Sequence, residues 1–269
     1  MNALAENFSI LWPALLAGLI VLATHVPLGQ QVLARGIVFI DLAIAQVAGV
    51  GVIAAHYFGL ELQGWVTQVA AVSAALLAAL LLTWTERKRP EVQEALIGVL
   101  FVLASTAQIL LLANDPHGGE DLKDLLAGQI LWVTPAQLLR AAVLTALVLL
   151  AWFRARERLG RTGFYVLFAV TVTVSVQLVG VYLVFTTLIV PAIATYRYAS
   201  RRQLAIGYTL AAVSYAVGLL ISALSDLPSS PVIVWAMSVL GILVLLAQRG
   251  GSESRNIGHG ANTNTNTRG

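Results

Sequence analysis

The sequence predicts an all-α protein, a polytopic transmembrane helical bundle of about eight spans with a broken or re-entrant helix near 180–196. Composition is the first reason: 58% of the 269 residues are hydrophobic and 11% are charged, whereas soluble domains carry about 25% charged residues. The second reason is that windows of about 20 apolar residues recur along the chain, each long enough to cross a bilayer as a helix. Alternating strands of ~10 residues, typical of a membrane barrel, are not visible.

The eight spans follow from these apolar windows. We expect them at roughly 8–26, 37–58, 63–84, 92–113, 134–153, 163–179, 204–223 and 231–247. A continuous helix over 163–196 would be about 51 Å long at 1.5 Å per residue, too long for one straight crossing. We therefore predict a break at Gly180 and a shorter helix that returns and ends near Pro191. Small residues at Ala71, Ala75 and Ala79 predict close contact between helices.

The basic residues predict the orientation. Lysine and arginine concentrate in 85–91, 153–161 and 197–202, while the connections at 57–64, 114–124 and 225–231 are neutral or acidic. Basic loops of membrane proteins lie in the cytoplasm. The N-terminus is therefore expected outside and the C-terminus inside. The net charge of +3 is explained by these loops, so no nucleic-acid partner is expected.

The chain is expected to form one transmembrane domain, residues 1–249, followed by a disordered polar cytoplasmic tail, residues 250–269. The tail is rich in Gly, Asn and Thr and cannot bury a core. The first apolar run lacks a preceding basic segment, so it is expected to be a retained span.

Motif content argues against an enzyme. The sequence has no cysteine, which excludes disulfides and thiolate chemistry. It also lacks the H-E-x-x-H, G-x-S-x-G and phosphate-loop motifs. Any ATP that is used must be hydrolysed by another chain.

Three polar residues within the predicted spans are candidates for function. Asp41 stands in the otherwise uncharged stretch FIDLAIAQVAGV, 39–50, where a charge costs about 2.5–3.5 kcal/mol. It is a candidate metal ligand in a cation pathway; the alternative is that it stabilises the helix N-terminus. Gln46 and Gln177 are candidate residues of the transport path, or else hydrogen bonds between helices. Gln46 is about 140° around the helix from Asp41.

Hydroxyls in the later spans have a simpler expected role. The threonines are expected to bond back to carbonyls of their own helices. They are Thr171, Thr173, Thr186 and Thr187.

The predicted external loop 114–124 concentrates possible ligands. Its candidates for ion capture or partner docking are Asp115, His117, Glu120, Asp121 and Asp124. Glu120 and Asp124 would share a face if a short helix began after Gly118 and Gly119. A solvated loop without a role is the alternative.

The order and spacing of several segments are similar to a known family. VGVYLVFTTLIVPAIAT (179–195) resembles that family's Val-Gly-Val-x-Leu-Val stretch, which leads into Ile-x-Pro-Ala. EALIGVL (94–100), LAGQILWVT (126–134) and DLPSSPVIV (226–234) match further segments in the same order. On these segments the chain resembles the permease subunits of metal-ion ABC importers for zinc, manganese and iron.

The resemblance implies a function and partners. It implies the permease subunit of an ATP-driven divalent metal importer, with zinc the first choice and manganese the second. Such a subunit binds no permanent cofactor: the divalent cation is transported, and ATP is held by the partner. The implied partners are two ATP-binding-cassette ATPase subunits, an extracytoplasmic metal-binding protein and a second permease copy. The implied location is a bacterial cytoplasmic (inner) membrane, with lipid around the bundle.

Two departures from the family pattern leave an alternative open. Asp41 matches the family's aspartate, which is thought to hold the passing cation, but Ala45 stands where relatives carry histidine, and Gln129 where they often carry aspartate. Relatives also have about a dozen further residues between the fifth and sixth spans, where the ATPase docks. The alternative is an energy-uncoupled carrier or channel with the same fold.

Overall fold

The protein is a bundle of helices. The computed structural model describes residues 2–58, 65–113 and 115–260; the side chains of 2–10, 121, 155–159 and 249–260 lie outside that description. Every regular element of the described residues is helical. The helices are α1 (Asn2–Arg35), α2 (Ile40–Tyr57), α3 (Trp65–Lys88), α4 (Gln93–Leu112), α5 (Gly118–Ala127), α6 (Pro135–Val179), α7 (Val181–Thr195), α8 (Ser200–Ser225) and α9 (Ser229–Gly260).

Eight helical segments of the described chain are long and apolar enough to cross a membrane, which confirms the predicted bundle. They are Leu11–Arg35, Ile40–Tyr57, Trp65–Lys88, Pro90–Leu112, Pro135–Arg154, Gly160–Val179, Ser200–Ser225 and Ser229–Gln248.

The first span extends beyond its predicted end at residue 26. α1 continues through Pro27 to Arg35. Membrane helices tolerate proline because neighbouring helices satisfy the freed backbone groups. Here a Cβ at Gly29 would overlap the carbonyl oxygen of Leu188 in α7, so α7 lies directly against this extension.

The predicted break at Gly180 is present. Gly180 has φ 82° and separates α6 from α7. Gly128, just after α5, has φ 72°, and a Cβ on either glycine would overlap the backbone of the other segment. Both glycines are needed because this conformation disfavours a side chain and because the two backbones cross in contact. α7 then passes Pro191 and ends at Thr195, one turn beyond the predicted end.

α6 contains two spans. Gly160, at φ 54° and ψ −158°, is the non-helical residue between Pro135–Arg154 and Gly160–Val179. The helix begins with a capping box in which the Thr134 hydroxyl accepts from the Gln137 backbone N–H and the Gln137 side chain accepts in return. Capping satisfies backbone donors that the first helical turn leaves free.

Burial separates a central from a peripheral set of helices. The second span of α6 is 61% buried and α2 is 56% buried, whereas the first span of α6 is 17% buried. α2 contacts α3, α4 and α6, and α1 and α9 both contact α7. The predicted small-residue stripe on α3 is fully buried, with Ala71, Ala75 and Ala79 all at 0% exposure.

The described residues include only the first part of the predicted tail. α9 is helical as far as Gly260, which includes the first part of the segment 250–269. Residues 261–269 lie outside the described residues. A disordered cytoplasmic tail stays a prediction.

Candidate functional site

A polar cavity of about 700 Å³ lies among α2, α3, α6 and the segment that contains α5 and Gln129. Its polar lining consists mainly of amides and hydroxyls. These residues are Thr67, Gln68, Gln129, Thr134, Gln137, Thr173 and Gln177, joined by His56, Asp124 and Arg140.

One face of α2 forms a wall of this cavity. Ala45, Ala48, Gly49, Val52, Ile53 and His56 all line it. Their spacing of three and four residues is that of a single helical face. Because the first three are small, the cavity extends close to the α2 backbone.

Asp41 lies on the same face of α2, one turn before Ala45. It is not in the cavity lining, it is 1% exposed, and neither carboxylate oxygen has a hydrogen-bond partner among the described residues. The location in the bundle interior agrees with a pathway ligand. Asp41 is also the second residue of α2, so the alternative at the helix N-terminus keeps a geometric basis.

Gln46 and Gln177, both predicted path residues, have different surroundings. Gln46 is buried beside α4, where the Gln108 amide donates to its side-chain oxygen at 2.6 Å and to its backbone oxygen at 2.9 Å. Gln177 lines the cavity and accepts a hydrogen bond from the Gln68 amide. The structure therefore places Gln177, and not Gln46, in contact with the cavity.

The four threonines bond back within their own helices, as predicted. Their hydroxyls donate to the carbonyl four residues earlier, at 2.7 or 2.8 Å in each case: Thr171 to Leu167, Thr173 to Ala169, Thr186 to Tyr182 and Thr187 to Leu183. Thr173 also lines the cavity.

The predicted external loop reaches the cavity through two of its carboxylates. A short helix is present, as the sequence suggested, but α5 begins at Gly118 and so includes both glycines. Asp124 of α5 lines the cavity and accepts from the Gln129 amide at 2.6 Å. Asp115 lies 3.6 Å from the imidazole of His56, another cavity residue.

The remaining loop candidates lie farther out. His117 Nδ1 is 3.8 Å from the Glu120 carboxylate, and both side chains are exposed. The side chain of Asp121 lies outside the described residues.

His56, Gln68 and Arg140 are among the polar cavity residues that sequence reasoning missed. His56 carried a usable signal, because it stands eleven residues after Ala45 and so falls on the same face of α2. Gln68 and Arg140 belong to helices on which no residue had been assigned to a functional face.

The donor set of the cavity is oxygen-rich. His56 supplies its imidazole and Asp124 its carboxylate. No group of three or more His, Cys, Asp or Glu side chains suited to a metal occurs in the part of the chain that is described. Amide and carboxylate oxygens suit hard cations.

Known proteins share both the sequence pattern and the fold. A "probable metal transport system membrane protein" of Chlamydia muridarum is 24% identical over 265 residues, covering 89% of each chain. The high-affinity zinc uptake system membrane protein ZnuB of Haemophilus influenzae is 22% identical over 259 residues, covering 88% of this chain and 97% of ZnuB.

Among solved structures, PsaBC from Streptococcus pneumoniae in complex with Fab contains a similar chain. The TM-score is 0.72 at 21% identity, over 90% of this chain and 95% of that one.

The family model named ABC 3 transport family matches the chain in two overlapping parts, residues 7–164 and 157–248. The parts meet at the Gly160 kink, and together they span all eight membrane helices. The chain belongs to the ABC 3 transport family.

Proposed function

We propose that this protein is the membrane-spanning permease subunit of an ATP-driven importer of divalent metal ions. The observation that supports it best is one face of α2: it lines a polar cavity and, one turn before Ala45, carries a buried carboxylate with no hydrogen-bond partner among the described residues. An aspartate inside the membrane is costly and usually serves a pathway. Family membership supports the transport role.

Zinc is the first choice of ion and manganese the second. The Haemophilus influenzae relative is named for zinc uptake, and the imidazole of His56 at the cavity is a ligand type that zinc accepts together with carboxylates. The rest of the lining is amide and hydroxyl oxygen, which suits manganese.

The pathway runs from the α5 side of the cavity to Asp41. Asp115 and Asp124, with His56 and Gln129, give the entrance a negative and hydrogen-bonding character that attracts a cation. The exposed Glu120 and His117 extend this surface and serve to dock the delivering protein. Gln177 and Gln68 form a hydrogen-bonded pair of amides inside the cavity.

The functional unit proposed is a pair of these subunits with two ATPase subunits and an extracytoplasmic metal-binding protein. It lies in the bacterial cytoplasmic membrane, with the C-terminus in the cytoplasm. No catalytic step is assigned to this chain.

One observation favours a second candidate, an energy-uncoupled carrier or channel. A single kink residue and a short connection join the two spans of α6, and the two family matches overlap there. A shortened connection reduces the surface available for an ATPase. Co-purification of the tagged protein with an ATPase subunit separates the two functions: coupled transport requires it.

The decisive experiment is uptake of radioactive zinc and manganese by metal-starved cells that carry the wild type or Asp41→Asn. Removing one charge from a buried ionic contact typically costs about 3–5 kcal/mol, so uptake should fall at least about a hundredfold in apparent affinity. Expression and thermal stability should stay near wild type.

Under the alternative at the helix N-terminus, Asp41→Asn costs only about 0.3–1 kcal/mol of stability and uptake persists. Normal transport by Asp41→Asn would remove Asp41 from the pathway. Absence of metal uptake by the wild type, under conditions where ZnuB-type controls are active, would contradict the proposed function.

A further inference from the structure

A second acidic residue lies at the same end of the bundle as Asp41. Glu94 is the second residue of α4, and its Oε1 accepts a hydrogen bond from the backbone N–H of Phe39 at 3.3 Å. Phe39 is two residues before Asp41. The side chain of Glu94 therefore crosses from α4 to the start of α2.

Both carboxylates have unused acceptor oxygens. The Glu94 Oε2 is buried and has no hydrogen-bond partner in the described chain, as is the case for both oxygens of Asp41. Glu94 also lies within electrostatic range of Asp41, where like charges repel. No ion pair among the described residues joins either group to a basic side chain.

Neighbouring basic groups have other contacts. The guanidinium of Arg35 lies 4.0 Å from the centre of the Phe164 ring. The cavity arginine, Arg140, is in the first span of α6. Two buried charged acceptors without a cation are expensive, so a positively charged occupant would stabilise this arrangement.

We propose that Asp41 and Glu94 together form an inner binding site for a divalent cation, one helical turn beyond the cavity. The two carboxylates supply up to three free oxygens from two different helices, α2 and α4. A divalent ion balances both charges, and its remaining ligands are water. Glu94 thereby supplies a second metal ligand beside Asp41, which Ala45 cannot supply.

The position of the site has a mechanical consequence. Since its ligands come from two helices, ion binding links the first turn of α2 to the first turn of α4. An ion would leave when these two ends move apart. The role of the inner site in transport rests on the proposed function. Metal binding at the site can be measured without a transport assay.

The test is equilibrium binding of Zn²⁺ and Mn²⁺ to the purified protein in lipid nanodiscs. The variants are Asp41→Asn, Glu94→Gln and the double substitution. Glu94→Gln keeps an oxygen for the Phe39 N–H while it removes the charge. The matched control is Glu91→Gln, which neutralises a carboxylate that is exposed and lies three residues before Glu94.

Each single substitution should weaken binding at least about tenfold, and the double substitution should add little to the worse single one, because both remove ligands of one ion. Metal should raise the thermal unfolding temperature of the wild type and of Glu91→Gln. That rise should be lost in the other variants.

Wild-type binding in Glu94→Gln would overturn the inner site and leave Glu94 as a partner of the α2 N-terminus. So would full additivity of the two substitutions, or an equal loss in Glu91→Gln. If cells import metal through the wild type while Glu94→Gln binds normally, only the inner site fails. If no uptake occurs at all, the proposed function fails by itself.

Discussion

At the scale of single residues, the amides of Gln46 and Gln108 form a buried hydrogen-bonded pair between α2 and α4. Gln108 is fully buried, and a Cβ added at Gly49 of α2 would lie 3.0 Å from its amide oxygen. Neither glutamine lines the cavity. The pair therefore fixes α4 against the back of the cavity wall.

Gln108→Met should destabilise the protein by about 1 kcal/mol, because it leaves the Gln46 oxygen without a donor. Thermal unfolding in detergent measures this loss, with Thr106→Val as the control, since that hydroxyl is exposed and bonds only within its own helix. The metal concentration for half-maximal uptake should not change. A change in uptake without loss of stability would support a role for Gln46 in the transport path.

The sequence was sufficient to predict that Asp41 lies inside the bundle, because the surrounding span has no other charge. It was not sufficient to separate Gln46 from Gln177. Their surroundings depend on Gln108 and Gln68, which are 62 and 109 residues away in the chain, and apolar periodicity contains no information about such pairs. The same reason hid Glu94, whose partner Phe39 lies directly before another helix, α2.

At the scale of elements, the crossing of Gly128 and Gly180 positions both the cavity wall and the start of α7. Gly180→Ala should destabilise the protein by about 2–5 kcal/mol. This sum combines the positive φ, roughly 1–2 kcal/mol, with overlap against the Gly128 backbone, roughly 1–3 kcal/mol. Thermal unfolding of the purified protein is the measurement.

Gly98→Ala is the matched control for this crossing. Gly98 is within α4 and has open space where a Cβ would lie, so alanine should be neutral or should stabilise by up to about 1 kcal/mol. Equal stability of the two variants would mean that the crossing tolerates a side chain.

Hydropathy was enough to predict the eight spans, since each needs only about 20 apolar residues. The helix break was predictable from length and a glycine. Its contact with Gly128 was not, because that contact joins segments about 50 residues apart. The end of α1 was missed because Pro27 signals an end only where no neighbouring helix supports the backbone.

At the scale of the whole molecule, the cavity and the carboxylate pair follow one another along α2. The cavity reaches His56 near the C-terminal end, and the pair Asp41 and Glu94 lies at the N-terminal end. Import requires the cavity to face outward and the carboxylates to lie on the cytoplasmic side. The distribution of basic residues predicts this orientation.

Cysteine labelling can test the orientation directly, because the natural sequence has no cysteine to react. Glu120 and Glu91 are suitable positions, with side chains that are 84% and 61% exposed, so labelling reports the side of the membrane and not burial. An impermeant maleimide should label Glu120→Cys in intact cells, and Glu91→Cys only after the membrane is opened. The reverse pattern would place the cavity on the cytoplasmic side, and the direction of transport proposed here would then be wrong.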